Sequence, residues 1–126
     1  MLPTPPQIIV VDDDQAVRRS LQLLLRGHGY RVKAYADATA VSNDPDAPDA
    51  ALLVTDYRLP DDDGFHVLRS MRDRGWAGSA LLITGYGTDG LRSDASAAGF
   101  AAVLDKPIRP NLLLGAARAA VQRAAP

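Results

Sequence analysis

The sequence predicts an α/β fold, a doubly wound sandwich with one five-stranded parallel sheet and helices on both faces. Two features of the 126-residue chain predict it. Short apolar runs alternate five times with segments of helical periodicity. The runs are apolar throughout, which is typical of strands that are buried on both faces of a parallel sheet. With right-handed crossovers, five such units form a single sandwich.

The first two strand–helix units follow from local pattern. Residues 8–11 are a β-branched run, and apolar residues then recur at helical spacing until Gly27 ends the helix. The second strand, 31–35, leads into a short helix at 37–43, and a loop rich in proline and aspartate follows at 44–49. The apolar face of the first helix, within residues 15–26, consists of Val17, Leu21, Leu24 and Leu25.

The last three units repeat this arrangement. The predicted strands and helices are 51–55 with a helix around 65–71, 80–83 with 88–98, and 101–104 with 110–124. The fourth helix is the weakest, because Leu91 is its only large aliphatic residue. We expect a single domain over residues 1–126, with a flexible N-terminus at residues 1–6.

Composition and charge exclude several classes of function. Cysteine is absent, so the chain has neither a disulfide framework nor a thiolate metal site. The formal net charge of -1 gives no electrostatic support for nucleic-acid binding. No apolar run approaches the roughly 20 residues of a membrane span, and residues 1–7 lack the basic segment of a signal peptide. We therefore expect a cytoplasmic domain that binds neither nucleic acid nor membrane.

Polar side chains follow four of the five predicted strands. The carboxyl ends of parallel strands meet at one edge of the sheet, where ligands bind in folds of this class. Side chains placed there should therefore converge. Carboxylates, a hydroxyl and an ammonium group suit metal or phosphate chemistry. The residues concerned are Asp12 and Asp13 after strand one, Asp56 after strand three, Thr84 after strand four and Lys106 after strand five.

The chain resembles the response-regulator receiver domains of two-component signalling over residues 7–121. The resemblance rests on four stretches at strand ends, each weak alone but specific in this order: 10–14, 55–60 with 63–64, 83–85 and 106–107. It implies a flavodoxin-like sheet with the strand order 2-1-3-4-5. It also implies a cis peptide bond between Lys106 and Pro107.

The same resemblance implies a role for each converging residue. Asp56 corresponds to the phosphoacceptor, Lys106 pairs with its carboxylate, and Thr84 donates its hydroxyl to the phosphate. The domain would then be no conventional enzyme, but would catalyse its own phosphorylation and dephosphorylation. The implied cofactor is Mg²⁺. Its implied ligands are Asp13 and Asp56, Asp12 through water, and the backbone carbonyl of Arg58.

A sensor histidine kinase is the expected phosphodonor, since neither His28 nor His66 is a convincing phosphohistidine. An output domain or target protein would read the phosphorylated state. The sequence does not separate a stand-alone receiver from part of a larger regulator. Homodimerisation through the face formed by helix 4, strand 5 and helix 5 also stays open.

One position departs from the family pattern. Val103 stands where many members carry an aromatic ring that swings inward on phosphorylation. We hypothesise that output instead uses backbone shifts of the weakly anchored helix after Thr88, within the face formed by helix 4, strand 5 and helix 5.

A haloacid-dehalogenase-like Mg²⁺-dependent phosphatase is the alternative interpretation. Asp12 and Asp14 after the first strand resemble that family's first motif and would make Asp12 the covalent nucleophile. This reading leaves Asp13 and Asp56 unexplained and finds no acidic motif after Lys106. A flavin-binding module is a third class, but no hydroxyl-rich phosphate loop follows strand one.

Overall fold

The computed structural model describes residues 4–124, apart from the side chain of Ala124. Its strands are β1 (Gln7–Val11), β2 (Arg31–Tyr35), β3 (Leu52–Asp56), β4 (Ser79–Thr84) and β5 (Ala102–Asp105). Its α-helices are α1 (Gln15–Gly27), α2 (Ala38–Ser42), α3 (Gly64–Asp73), α4 (Asp89–Ala98) and α5 (Pro110–Ala124). Each predicted strand and helix is therefore confirmed, and the observed ends differ from the predicted ends by a few residues at most.

The sheet has the predicted order β2-β1-β3-β4-β5, and each pair of neighbouring strands is parallel. The loop predicted at 44–49 contains one short 3-10 helix, Ala47–Asp49. Pro48 favours this 3-10 helix, because the fixed φ of proline suits the first turn of a helix. Among residues 4–124, no helix is long and apolar enough to cross a membrane.

Residues 1–3, half of the segment expected to be flexible, lie outside the described residues. Pro5 and Pro6 of that segment contact β2. The Arg31 backbone N–H donates to the Pro6 carbonyl at 2.9 Å, and Arg31 Nε donates to the Pro5 carbonyl at 2.7 Å.

Helices cover both faces of the sheet, because successive strand residues point to opposite sides. On one face, Ile8 and Leu52 pack with residues of α1 and α5 such as Leu25 and Leu113. The other face carries α2, α3 and α4, whose buried residues pack against the next residue along each strand. The residues of that second layer include Ile9, Val41, Leu53, Met71 and Ala95, together with the buried Trp76 and Phe100.

Asp44 fastens β2 to the loop after α2. Its carboxylate accepts hydrogen bonds from the Tyr35 hydroxyl and, at 3.0 Å, from Lys33 Nζ. Its backbone carbonyl accepts a bond of 2.5 Å from Arg74 Nη2 on the turn after α3. The Tyr35 hydroxyl, followed by the Asp46 N–H and Lys33, lowers the pKa of Asp44 to about 2.

This depressed pKa predicts a contribution to stability that acid removes. Because the folded pKa lies below the ordinary value of 3.8, the contribution is complete above about pH 4 and is lost as the pH falls through about 2. We expect it to be about 1 kcal/mol, since the carboxylate is partly exposed. Urea unfolding of the parent and of Asp44→Asn from pH 6 to pH 2.5 would measure the difference, with Asp49→Asn as an exposed control. A difference that does not shrink in acid would contradict the assignment.

Candidate functional site

A cavity of about 420 Å³ lies at the carboxyl edge of the sheet. The predicted site residues arrive there because β3 ends at Asp56, β4 ends at Thr84, and Lys106 directly follows β5. A larger groove of about 490 Å³ runs along β5 and α5, but it includes Asp105 rather than the acidic cluster of β1 and β3. The predicted residues that line the smaller cavity are Asp13, Asp56, Arg58, Thr84 and Lys106.

Asp12 completes the cluster from beneath the cavity and is fully buried. One carboxylate oxygen from each of Asp12, Asp13 and Asp56 lies within 4.8 Å of the others. Asp12 Oδ1 accepts a 2.9 Å bond from the Asp14 N–H, which holds the loop after β1 in place. Asp14 itself caps α1 through the Ala16 and Val17 N–H groups, so it is a helix cap, as expected of a short polar residue at this point.

Lys106 faces two of these carboxylates at once. Its Nζ lies 2.9 Å from Asp56 Oδ2, to which it donates a hydrogen bond, and 2.9 Å from Asp12 Oδ2. Burial alone would lower the pKa of Lys106, but Asp12 and Asp56 outweigh it and hold that pKa above its ordinary value. Burial raises the pKa of Asp56; the charge of Asp12 adds to this rise, and the Lys106 hydrogen bond opposes it.

The acidic cluster fits a divalent metal ion. Among the described residues, Lys106 forms ion pairs with Asp12 and Asp56, and Asp13 forms none, so the three carboxylates keep an excess of negative charge. Although Lys106 is near, Asp12 Oδ2 is buried without a well-formed hydrogen bond to any residue that the structure describes. Lys106 Nζ, 2.9 Å away, is shared with Asp56, so a metal ion would offset more of the cost of burying this charge. Hard cations with oxygen ligands, such as Mg²⁺ and Ca²⁺, match this donor set.

Thr84 is buried at the wall of the cavity. Its Oγ1 accepts a 3.1 Å bond from the Tyr86 N–H, which leaves the hydroxyl hydrogen free to donate elsewhere. The Thr84 carbonyl accepts a 2.8 Å bond from the Lys106 N–H, so β4 and β5 end in register beside the site. The peptide bond between Lys106 and Pro107 is cis, as the family resemblance implied.

Two residues that support the site were not predicted as such. Arg18 Nη1 on α1 donates a 2.7 Å bond to the Asp12 carbonyl. Gly64, the first residue of α3, lies against the end of β3: a Cβ there would meet the Asp56 carbonyl oxygen at 2.5 Å and Leu82 Cδ1 at 2.8 Å. Gly64 belongs to one of the stretches that carry the family resemblance, but the sequence gave no sign of this close approach.

Comparison with known proteins identifies the family. The sequence model of the response regulator receiver domain matches residues 8–118. The chain belongs to this family. The strand order and the paired ends of β1, β3, β4 and β5 agree with that assignment.

The relatives of this receiver domain include two curated proteins. The response regulator protein TmoT of Ectopseudomonas mendocina is 37% identical over 117 residues, which cover 93% of this chain and 53% of TmoT. The transcriptional regulatory protein FixJ of Azorhizobium caulinodans is 33% identical over 124 residues, which cover 98% of this chain and 59% of FixJ. The receiver domain therefore spans little more than half the length of these relatives.

A solved structure supports the same family assignment. The receiver domain protein from Methanospirillum hungatei superimposes with a TM-score of 0.81 at 26% identity, covering 94% of this chain and 95% of that one. The phosphatase alternative is not supported by the family match. It also requires Asp12 as the nucleophile, and the receiver domain buries Asp12 completely while leaving Asp56 partly accessible from the cavity.

Proposed function

We propose that this receiver domain accepts a phosphoryl group on Asp56 and uses Mg²⁺ to do so. The observation that carries the proposal is the position of Asp56. Its carboxylate lies at the floor of the cavity, with Lys106 Nζ at 2.9 Å and the carboxylates of Asp12 and Asp13 close by. A nucleophile, a fixed cation and a set of carboxylates that suits a metal ion thus meet at one point.

In the proposed reaction, a carboxylate oxygen of Asp56 attacks the phosphorus of a phosphohistidine. The phosphorus–nitrogen bond breaks, and its electron pair returns to the imidazole. Lys106 holds the acceptor carboxylate and then pairs with the added phosphoryl oxygens, while Thr84 donates its hydroxyl to one of them. Water later attacks the aspartyl phosphate, which restores the Asp56 carboxylate and releases inorganic phosphate.

The expected Mg²⁺ ligands are Asp13 and Asp56 directly, Asp12 through water, and the carbonyl of Arg58. When bound, the metal neutralises charge on the transferring phosphoryl group. The chain's own residues supply the rest. Arg18 fixes the Asp12 carbonyl on the loop that carries Asp13, and Gly64 lets α3 begin directly against the Asp56 backbone.

The test uses small phosphodonors and intact-mass spectrometry. We expect the parent protein to gain one phosphoryl group from acetyl phosphate in the presence of Mg²⁺, and none when EDTA removes the metal. Peptide mapping should place the group on the peptide that contains Asp56. No gain from either acetyl phosphate or phosphoramidate, which offers a phosphorus–nitrogen bond, would contradict the proposal.

We infer that the phosphodonor is a histidine kinase that docks over α1. Support comes from a groove of about 330 Å³ between α1 and the segment after β5. Lys106 is one of the residues that line this groove. The groove is mainly apolar, with Val17 and Leu24 on one side and Ile108 on the other. A partner seated there would hold its phosphohistidine close to the acceptor cavity.

We also propose that α4 transmits the phosphorylated state, as the replacement of the usual aromatic by Val103 suggests. Ala95 alone is buried among the residues of α4. The helix is joined to β5 by Arg92, which donates to the Val103 carbonyl at 3.2 Å and pairs with Asp105. Such sparse attachment allows backbone shifts at little energetic cost.

This proposal predicts altered hydrogen exchange in α4 when a beryllofluoride mimic occupies Asp56. We expect amides within residues 85–104 to change their exchange rates, while the core strand β1 keeps its rates. Mass spectrometry of proteolytic fragments would measure both regions. Unchanged exchange throughout residues 85–104 would contradict the proposal.

An output region is the expected reader of this switch. FixJ carries the name of a transcriptional regulatory protein, and the receiver domain covers 59% of it. We propose that this receiver domain controls an output region or target protein of comparable kind through its α4 and β5 surface.

A further inference from the structure

The segment between β3 and α3 is folded as a small hairpin. Arg58 and Asp63 face each other across an antiparallel bridge. A 3.0 Å bond from the Leu59 N–H to the Asp62 carbonyl and a 2.8 Å bond from the Gly64 N–H to the Tyr57 carbonyl flank this bridge. The base of the hairpin therefore joins the acceptor strand, and its tip is at residues 60–61.

The tip of this hairpin is attached to α2 by Asp61. Asp61 Oδ1 accepts a 3.0 Å bond from the Ala38 N–H, 23 residues away. Asp61 Oδ2 accepts bonds from the Thr39 N–H at 2.9 Å and from Thr39 Oγ1 at 2.5 Å. The first N–H groups of a helix have no partner within it, so they are natural donors to a carboxylate.

The helix that is bonded to Asp61, α2, is anchored in the core. Ala38 and Val41 of α2 are buried in the core beneath the sheet. Asp37 caps the same helix locally by accepting a 2.8 Å bond from the Ala40 N–H. Because α2 has this cap of its own, the bonds from Asp61 add a connection between two distant segments.

The neighbouring aspartates make no such connection. Asp62 pairs with the ring of His66, four residues along the chain. Asp63 caps α3 by accepting a 3.0 Å bond from the His66 N–H. Of the three consecutive acidic residues, Asp61 is thus the one that accepts its side-chain bonds from a separate element of the fold.

We propose that Asp61 is a positioning residue for the acceptor site, because it holds the hairpin that carries Tyr57 and Arg58 over Asp56. Both residues line the acceptor cavity. In an antiparallel pair of the kind formed by Arg58 and Asp63, the two residues exchange no hydrogen bonds with each other. The Arg58 carbonyl is therefore not used by these bonds of the hairpin. This inference rests on the proposed function, in which that carbonyl binds Mg²⁺.

The test compares two variants that each remove a cap from α2. Asp61→Ala frees the hairpin tip as well as the helix, whereas Asp37→Ala frees the helix alone. We expect Asp61→Ala to weaken Mg²⁺ binding, measured by titration calorimetry, by about tenfold, as is typical when a group that orients a metal ligand is lost. It should also speed hydrogen exchange at the amides of Leu59 and Gly64. Asp37→Ala should change neither.

A third variant and the parent protein distinguish a positioning role of Asp61 from a helix-capping effect and from failure of the proposed function. Asp61→Asn keeps one acceptor oxygen and should recover part of the affinity; it also serves if the alanine variant does not fold. Equal Mg²⁺ affinity in the parent, Asp61→Ala and Asp61→Asn would overturn the positioning role alone. An equal loss in Asp61→Ala and Asp37→Ala would overturn it too, since helix capping would then explain the effect. A parent that binds no Mg²⁺ would overturn the proposed function together with this inference.

Discussion

Asp56→Asn is expected to abolish the Mg²⁺-dependent gain of a phosphoryl group completely. Asparagine has nearly the same size and shape as aspartate. The cavity should therefore be unchanged, and Lys106 Nζ, now 2.9 Å from Asp56 Oδ2, should stay close to the side chain. The amide is neutral and lacks the nucleophilic oxygen that forms an aspartyl phosphate. The expected change is therefore in chemistry and not in folding. Intact-mass spectrometry after exposure to acetyl phosphate measures it directly.

The matched control for this experiment is Asp62→Asn, which makes the same change at a more exposed carboxylate of the adjoining hairpin. We expect that variant to be phosphorylated like the parent. A phosphoryl group that still appears on Asp56→Asn in a Mg²⁺-dependent way would mean that another residue is the acceptor. Asp12→Asn then becomes the decisive variant, because the phosphatase interpretation made Asp12 the nucleophile.

Gly64→Ala is expected to damage both the fold and the acceptor site. The added Cβ would lie 2.5 Å from the Asp56 carbonyl oxygen, which is backbone and cannot rotate away. Either α3 or the end of β3 must move, and overpacking of this kind costs about 1–3 kcal/mol. Because the clash is with Asp56, the proposed acceptor, we also expect slower phosphorylation. Urea unfolding followed through the buried Trp76 gives the loss of stability.

Gly115→Ala is the control for Gly64→Ala. Gly115 lies inside α5, and a Cβ at this position would meet no atom within 4 Å. Alanine favours a helix interior over glycine by about 1 kcal/mol, so this variant should gain stability and keep normal phosphorylation. If the same substitution lowers stability at residue 64 and raises it at residue 115, the loss is caused by the contact with Asp56. A Gly64→Ala variant as stable as the parent would contradict this account of α3.

The fold could be predicted because each element has a strong local pattern. The β-branched run at residues 8–11 became the buried strand β1, and the spacing of Leu21 and Leu25 marked the buried face of α1. The weak pattern of α4 was equally informative, since Ala95 is its buried residue and Leu91 is only partly covered. Patterns of this kind report which side chains avoid water, and burial decides the layers of a parallel sheet.

The candidate site could be predicted because it is built from strand ends. Asp56 and Thr84 are the last residues of β3 and β4, and the register pairs Asp56 with Ile83, so Thr84 follows directly after that pair. What could not be predicted are contacts between segments distant along the chain. In the sequence, Asp61 is one of three consecutive aspartates, and Asp44 belongs to a loop rich in proline and aspartate. Each bonds to an element whose position depends on the assembled fold, which no local pattern encodes.

Synthesis of the chain imposes an order on the appearance of its chemistry. Asp12 and Asp56 come from inner strands, whereas Lys106 follows β5, an edge strand that pairs with β4 alone. A nascent polypeptide that has emerged only as far as α4 already contains its acidic residues but lacks their ammonium partner. The proposed phosphoryl transfer, which uses Lys106, therefore requires that β5 has been translated and docked, and we expect a product truncated before β5 to accept no phosphoryl group.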